Sequence, residues 1–347
     1  MLNKGLFGCS LGLLVTSLGV AAPVSADNRN EENVLPALHG YSVKVWVKGT
    51  ADFKNPDSIE SDRGHIWVGY QNVTSKTGND GKFSTVVEYD ADGALLRTFS
   101  VPGHCDGLRI DPVTHTVWAS SNEDGNPGLV SIDQASGVVT TYSFDPTVHG
   151  GGFDDMAFLN GKMFITASNP TLDSNGVNVF PAVDAVTFKG TKVVLTPVLM
   201  GNATATDTMT NQPVTLNEVD PDSLSVDASG NLVLVNQGGS ELVFIANPGT
   251  AAQKVSRTLV GTQLEDTVWI KTAAHGHLLA VDGKTNTIYS VKTDFAPGTI
   301  YTETPDDSGV SSFVGSLDLK TGIIKPIVIG FKKATGLIFV PGKGDAE

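Results

Sequence analysis

The sequence predicts an all-β chain folded as a six-bladed β-propeller, with four antiparallel strands per blade. Three observations predict it. One short phrase recurs six times along the chain. Glycine and proline are frequent, 38 and 17 residues, without a Gly-X-Y period, which favours short elements joined by tight turns. No segment beyond the first 26 residues sustains a helical period, whereas loose alternation and β-branched residues recur. A single phrase in six equivalent places is the mark of a repeat architecture. Two β-sandwiches would need a linker near the middle and would not explain it.

The phrase is x-Asp-small-apolar, followed by a short strand. The first copy is Pro56-Asp57-Ser58-Ile59 before Ile66-Trp67-Val68, and the second is Cys105-Asp106-Gly107-Leu108 before Val117-Trp118-Ala119. Each is followed by two more strand-like segments, Thr85 to Tyr89 with Leu95 to Val101, and Leu129 to Ile132 with Val138 to Phe144. The third copy is Phe153-Asp154-Asp155-Met156 before Met163-Phe164-Ile165. The fourth is Pro221-Asp222-Ser223-Leu224 before Leu232-Val233-Leu234, and the fifth Glu265-Asp266-Thr267-Val268 before Leu278-Leu279-Ala280. The sixth, Ala334-Thr335-Gly336-Leu337, carries Thr in place of Asp. It lies near the C-terminus, so the N-terminal strand Tyr41 to Val47 is expected to complete its blade and close the ring, which hides two sheet edges. Residues 202–217 and 295–312 read as insertions, expected to emerge as loops on a face.

Residues 1–26 read as a secretory signal: Lys4, an apolar run from Leu6 to Ala22, and a small-x-small site at Val24-Ser25-Ala26. Residues 27–347 are then one propeller domain, exported to a periplasmic or extracellular space. No later stretch is apolar for long enough to enter a bilayer. Cys9 falls within the signal, so the mature chain keeps only Cys105 and no intrachain disulfide. The net charge is −14, which disfavours nucleic acid and favours a cationic partner or a metal ion. A monomer is expected, with a small molecule, protein or glycan as ligand.

In a propeller the first strand of each blade lines the central channel. Asp57, Asp106, Asp154, Asp222 and Asp266 would face one mouth, with Asp155 and Glu265 one position off because strand side chains alternate. Converging carboxylates must protonate, pair with a base or bind a cation. Oxygen ligands without a Cys or His cluster suggest calcium or magnesium. The structural alternative is that each Asp caps a turn and holds the neighbouring blade through backbone N–H groups.

These phrases resemble the regucalcin and gluconolactonase type of six-bladed propeller. Asp220-Pro221-Asp222-Ser223-Leu224 through Gly230-Asn231-Leu232 is similar to that family's Pro-Asp-Gly, Asp-x-x-Gly-Asn-Leu phrase, whose first Asp binds a metal. Leu264-Glu265-Asp266-Thr267-Val268-Trp269 resembles its Gly-Glu-Gly-Pro-Val-Trp phrase, and Cys105-Asp106-Gly107-Leu108 and Phe153-Asp154-Asp155 resemble its Asn-bearing phrases with Asp replacing Asn. The resemblance implies a divalent cation, calcium first, held by Asp222, Asp154, Asp106 and Glu265. It implies lactone or ester hydrolysis, or lyase chemistry, with Asp155 or His104 moving the proton. His149, before Gly150-Gly151-Gly152, is placed to reach the same mouth. Cys105 adjoins His104, so in a strand the two point to opposite faces, and Cys105 reads as a buried small hydrophobe. The second reading is a propeller that binds a ligand without catalysis, since propellers host both.

Overall fold

The structure is a computed structural model that describes residues 33–271, 275–307 and 309–342. The signal expected over residues 1–26 lies outside them. The described residues from Asn33 onward form one compact unit.

The described residues carry strands and no helix. After β1 (Ser42–Lys48) come β2 (Pro56–Asp62), β3 (His65–Tyr70), β4 (Phe83–Asp90) and β5 (Leu95–Pro102), which form one antiparallel sheet in chain order. The next two sets are β6 (Cys105–Ile110), β7 (Val117–Ser121), β8 (Gly128–Ile132) and β9 (Val139–Ser143), then β10 (Phe153–Leu159), β11 (Lys162–Ala167), β12 (Pro181–Lys189) and β13 (Lys192–Met200). One parallel pair, Lys192 with Ser143, joins these two sets into an eight-stranded sheet.

Next, β14 (Thr204–Asp207) and β15 (Pro213–Thr215) extend the outer edge of the sheet made by β16 (Pro221–Val226), β17 (Leu232–Asn236), β18 (Glu241–Ala246) and β19 (Lys254–Leu259). The remaining strands are β20 (Thr267–Trp269), β21 (Gly276–Asp282), β22 (Thr287–Lys292), β23 (Ile300–Thr304), β24 (Phe313–Asp318), β25 (Ile323–Ile329) and β26 (Ala334–Pro341). They interleave into two sheets, β20-β23-β24-β25 and β26-β21-β22-β1.

The strands that open the sheets, β2, β6, β10, β16, β20 and β26, contact one another in that order, and β26 also contacts β2. They enclose a channel. Ser58 Oγ donates to the Asp106 carbonyl and Ser120 Oγ to the Asp154 carbonyl, fastening neighbouring sheets near the axis. Gly107 has no side chain because its neighbour leaves no room: a Cβ there would lie 2.5 Å from the Asp154 carbonyl oxygen.

The core lies between sheets. Ile66, Val68 and Tyr70 of β3 pack towards Leu279, Val281 and Ile288 of the sheet on one side. Trp67, between them in sequence, packs with Phe99, Cys105 and Leu108 on the other. A strand buried on both faces reads as a continuous apolar run, which is why alternation in the sequence is only loose. Each such side chain contributes about 1.5–3 kcal/mol on burial. Cys105 is fully buried in this layer, as expected.

Two sequence expectations are corrected. Residues 202–217 are not a face loop. They form β14 and β15, with Ala205 and Leu216 buried. Burial alternates along Thr204-Ala205-Thr206-Asp207, but one of the buried positions is Asp207, so the sequence carries no apolar alternation there. Leu278 to Ala280 do not follow β20 in its sheet. They belong to β21, which pairs with β22 and β26, and the strand beside β20 is β23, inside the segment read as an insertion. The sheet partners of β26 come from upstream: the β21–β22 hairpin and, at its edge, β1.

Candidate metal centre at one mouth of the channel

Four of the channel strands begin with the same irregularity. Register shifts fall between Pro56 and Ile59, Cys105 and Leu108, Phe153 and Met156, and Pro221 and Leu224. Each β-bulge contains the phrase's Asp and the residue after it. A bulge leaves a residue unpaired and re-aims its side chain. Asp57, Asp106, Asp154 and Asp222 accordingly line one cavity of about 240 Å³.

Glu265 and Thr335 stand with these four. The fifth copy of the phrase is therefore out of frame by one residue: Glu265, not Asp266, matches Asp57, and Asp266 matches Asp155. Asp155 Oδ2 accepts from the Leu224 backbone N–H at 2.9 Å, and Asp266 Oδ2 from that of Leu337 at 3.2 Å. Each thus ties its strand to the next one around the channel. The blade-joining role foreseen for the whole ring belongs to these two. Arg109 Nη2 lies between them, 2.5 Å from Asp155 and 2.9 Å from Asp266.

The cavity holds eleven carboxylates against three basic side chains, Lys76, Arg109 and Lys333. Burial raises the carboxyl pKa values of Asp57, Asp154, Asp222 and Glu265 well above the usual range, and neighbouring carboxylates add to it. Asp222 accepts from Gln237 Nε2 at 2.6 Å and from Ser223 Oγ at 3.1 Å. The Asp154 and Glu265 carboxyls make no hydrogen bond or ion pair within the described residues. Burial pushes Asp155 up to about 7 although Arg109 draws it down.

His104, Asp106 and Glu123 form a tighter cluster. Their ligand atoms all lie within 4.8 Å of one another, and all three residues are buried. The His104 tautomer follows from its partners. Its Nδ1 is 3.0 Å from the Thr74 carbonyl oxygen, which can only accept. It is 2.9 Å from Thr74 Oγ1, whose own proton goes to the Gln71 carbonyl at 2.7 Å. Nδ1 therefore carries the hydrogen, and Nε2 presents a bare lone pair. Burial lowers the His104 pKa, so the ring is kept neutral. Nε2 is buried without a hydrogen-bond partner and lies 4.0 Å from Glu123 Oε1. Asp106 Oδ1 accepts from Gln71 Nε2 at 3.0 Å; its buried Oδ2 has no N–H or hydroxyl donor, and among the described residues the only groups able to share a proton with the Asp106 carboxyl are the neighbouring carboxyls of Glu123 and Asp57. Lys76 contacts Glu123 Oε1. Burial and then Asp106 push the Glu123 carboxyl up to about 8.

Buried lone pairs with no donor are expensive, and a cation answers both. A neutral imidazole oriented by a backbone carbonyl and set among carboxylates is a fit arrangement for one. Of the residues singled out from sequence, Asp106 and His104 join this cluster, while Asp154, Asp222 and Glu265 line the same cavity outside it. Asp155 pairs with Arg109. His149 does not take part: its Nε2 binds the Gly152 carbonyl at 2.7 Å, and it lines a different cavity. Glu123, Lys76 and Lys333 were missed. Glu123 follows the second strand of its sheet by two residues, a place the repeated phrase does not cover.

No protein-family model matches the chain, and no curated protein matches it in sequence. Solved structures do match in fold. A candidate gluconolactonase is 14% identical, with 89% of this chain and 88% of that chain covered and a TM-score of 0.50. A Bacteroides caccae protein of unknown function is 10% identical, with 82% and 86% covered and a TM-score of 0.50. A streptogramin B lyase is 14% identical, with 87% and 93% covered and a TM-score of 0.49. The chain is thus an all-β propeller. It shares that fold with the candidate gluconolactonase, a likeness of fold alone.

Proposed function

We propose that the protein is an exported six-bladed propeller that binds a divalent cation at one mouth of its channel. In this reading the eight-stranded sheet is two blades joined at their edges, and β1 closes the ring. One observation carries the metal site: the buried His104 Nε2, which has no hydrogen-bond partner, converges with the carboxyls of Asp106 and Glu123. His104, Asp106 and Glu123 hold the ion, with Asp154, Asp222 and Glu265 around it. Lys76 stays on Glu123 and limits the excess negative charge. Calcium is the first ion to test. The imidazole donor separates the ions, because calcium binds oxygen almost alone, whereas manganese, also oxygen-preferring, takes an imidazole nitrogen more readily.

A bound ion would supply Lewis acidity and an activated water. That chemistry suits opening of a lactone or ester, with Asp155, near neutral pKa, as the proton-transfer group. A second reading, a ligand-binding propeller without catalysis, has its own observation. Arg109 already neutralises part of the carboxylate set, and Asp155 and Asp266 act as sheet-joining acceptors.

The experiment is calorimetric titration of calcium, then manganese, into chelator-stripped protein. Binding at micromolar Kd or tighter is expected, with a loss of at least 100-fold in Asp106→Asn and a smaller loss in Asp222→Ala. His104→Ala should weaken manganese more than calcium. Absence of binding by either ion removes the metal site and the catalysis built on it. Binding without turnover on a panel of lactones and esters selects the non-catalytic reading.

A further inference from the structure

The channel has a second end. Past Arg109, the far halves of the channel strands line another cavity, of about 720 Å³, within the size range of small-molecule sites. Arg109 and Asp266 face both cavities. The two ends differ in chemistry. The first is walled by carboxylates, whereas Ile110, Phe158, Trp269 and Phe339 make this one largely apolar.

Its charge is also distinctive. The single positive charge of Arg109 is shared between Asp155 and Asp266. Asp62, at the edge, is engaged by Arg63, His115 and Gln134. Glu60 is not engaged in this way. Its Oε1 accepts from the Ser61 N–H at 2.9 Å, and within the described residues no Lys, Arg or His nitrogen lies within ion-pair distance of it. Burial raises the Glu60 pKa although Arg109, beyond ion-pair distance, draws it down. Lys271 also lines the cavity, but as an exposed residue. The interior therefore offers an anionic floor beneath aromatic and aliphatic walls.

We propose that this second cavity is a separate binding site for a small organic ammonium with an apolar body. The cationic head pairs with Glu60, and the body lies against Trp269, Phe158 and Phe339. Aromatic faces attract a cation further. A carboxylate ligand would meet Glu60 and Asp266 unfavourably, and a neutral one would leave Glu60 unpaired. The site shares no ligand residue with the metal centre at the other mouth, although Arg109 and Asp266 border both.

The test is calorimetric titration of 3-phenylpropylammonium, 3-phenylpropanol and 3-phenylpropionate into the protein, in saturating calcium and physiological salt. The ammonium is expected to bind at least tenfold more tightly than the alcohol, and the propionate not to bind. Glu60→Gln should bring the ammonium within threefold of the alcohol while leaving calcium affinity unchanged. Asp222→Asn should weaken calcium without changing the ammonium. No ammonium binding, equal affinity for ammonium and alcohol, or an ammonium Kd unmoved by Glu60→Gln overturns the proposal. Failure of calcium binding alone touches only the metal reading, because the ammonium titration can be repeated without calcium.

Discussion

Arg109→Met is the most informative single change. Among the described residues Arg109 is the one cation facing both cavities, and its Nη2 is within 2.9 Å of both Asp155 and Asp266. The guanidinium side chain is 12% exposed and the two carboxylates are 5% and 8% exposed, so water screens the trio little. Removing one partner of a buried ion pair costs about 3–5 kcal/mol, because the remaining charge is stranded. At about 2 °C per kcal/mol, the low end for a chain of this size, the melting temperature falls by roughly 6–10 °C. The loss should depend on pH. Asp155 titrates at about 7 in the folded protein, raised from 3.8. A raised carboxyl pKa means that native-state ionisation costs stability as pH climbs through 7. Arg109 offsets that cost, and without it the folded pKa rises further. The variant is therefore expected to lose more at pH 8 than at pH 5, by at least about 1 kcal/mol. Urea unfolding of both proteins at the two pH values measures this. Adding Asp155→Asn and Asp266→Asn to the variant should recover at least half of the loss. A loss below about 1 kcal/mol at pH 8, the scale of an exposed pair, or one equal at both pH values, would refute the view of Arg109 as the charge that holds the channel together.

Two further outcomes follow from single contacts. Gly107→Ala places a Cβ 2.5 Å from the Asp154 carbonyl oxygen and 2.7 Å from the Asp155 Cα. Backbone on both sides must shift, so about 1–3 kcal/mol should be lost in urea unfolding, with weaker calcium binding. An unchanged urea midpoint would show that the sheets are not in tight contact there. Asp184 is 4% exposed, and burial alone pushes its carboxyl from 3.8 to about 6. Its folded pKa is raised, so stability is lost as pH rises from 3.8 through about 6. Asp184→Asn should match the parent at pH 4 and exceed it at pH 8 by up to about 3 kcal/mol. Thermal melts at the two pH values check this, and a variant less stable at pH 8 contradicts it.

Much of the fold was legible because each channel strand must meet the same neighbours. Ile59, Leu108, Met156, Leu224 and Leu337 repeat one buried position in β2, β6, β10, β16 and β26. Their recurrence is the physical demand of packing each sheet between two others. The phrase also located the cavity, since Asp57, Asp106, Asp154 and Asp222 do face it. Two things were hidden from a linear reading. One was the bulge, which adds a residue and so defeats simple alternation; the repeat alone aligned Asp266 with Asp57, where the resemblance pointed to Glu265, and both line the cavity. The other was the interleaving of the last two sheets, in which β20 pairs with β23 and β21 pairs with β26.

The sequence by itself determined the all-β class, the repeated channel strand and the concentration of carboxylates on one segment of each repeat. Those are local properties, written in spacing and residue type. Which carboxylates share a metal-sized cluster was decided only by the tertiary structure. Asp106 belongs to the repeated phrase, but Glu123 lies 17 residues further on and Thr74, which fixes the His104 tautomer, 30 residues before His104. The site depends on distance in space, and the chain brings those atoms within reach only when its sheets pack around the channel.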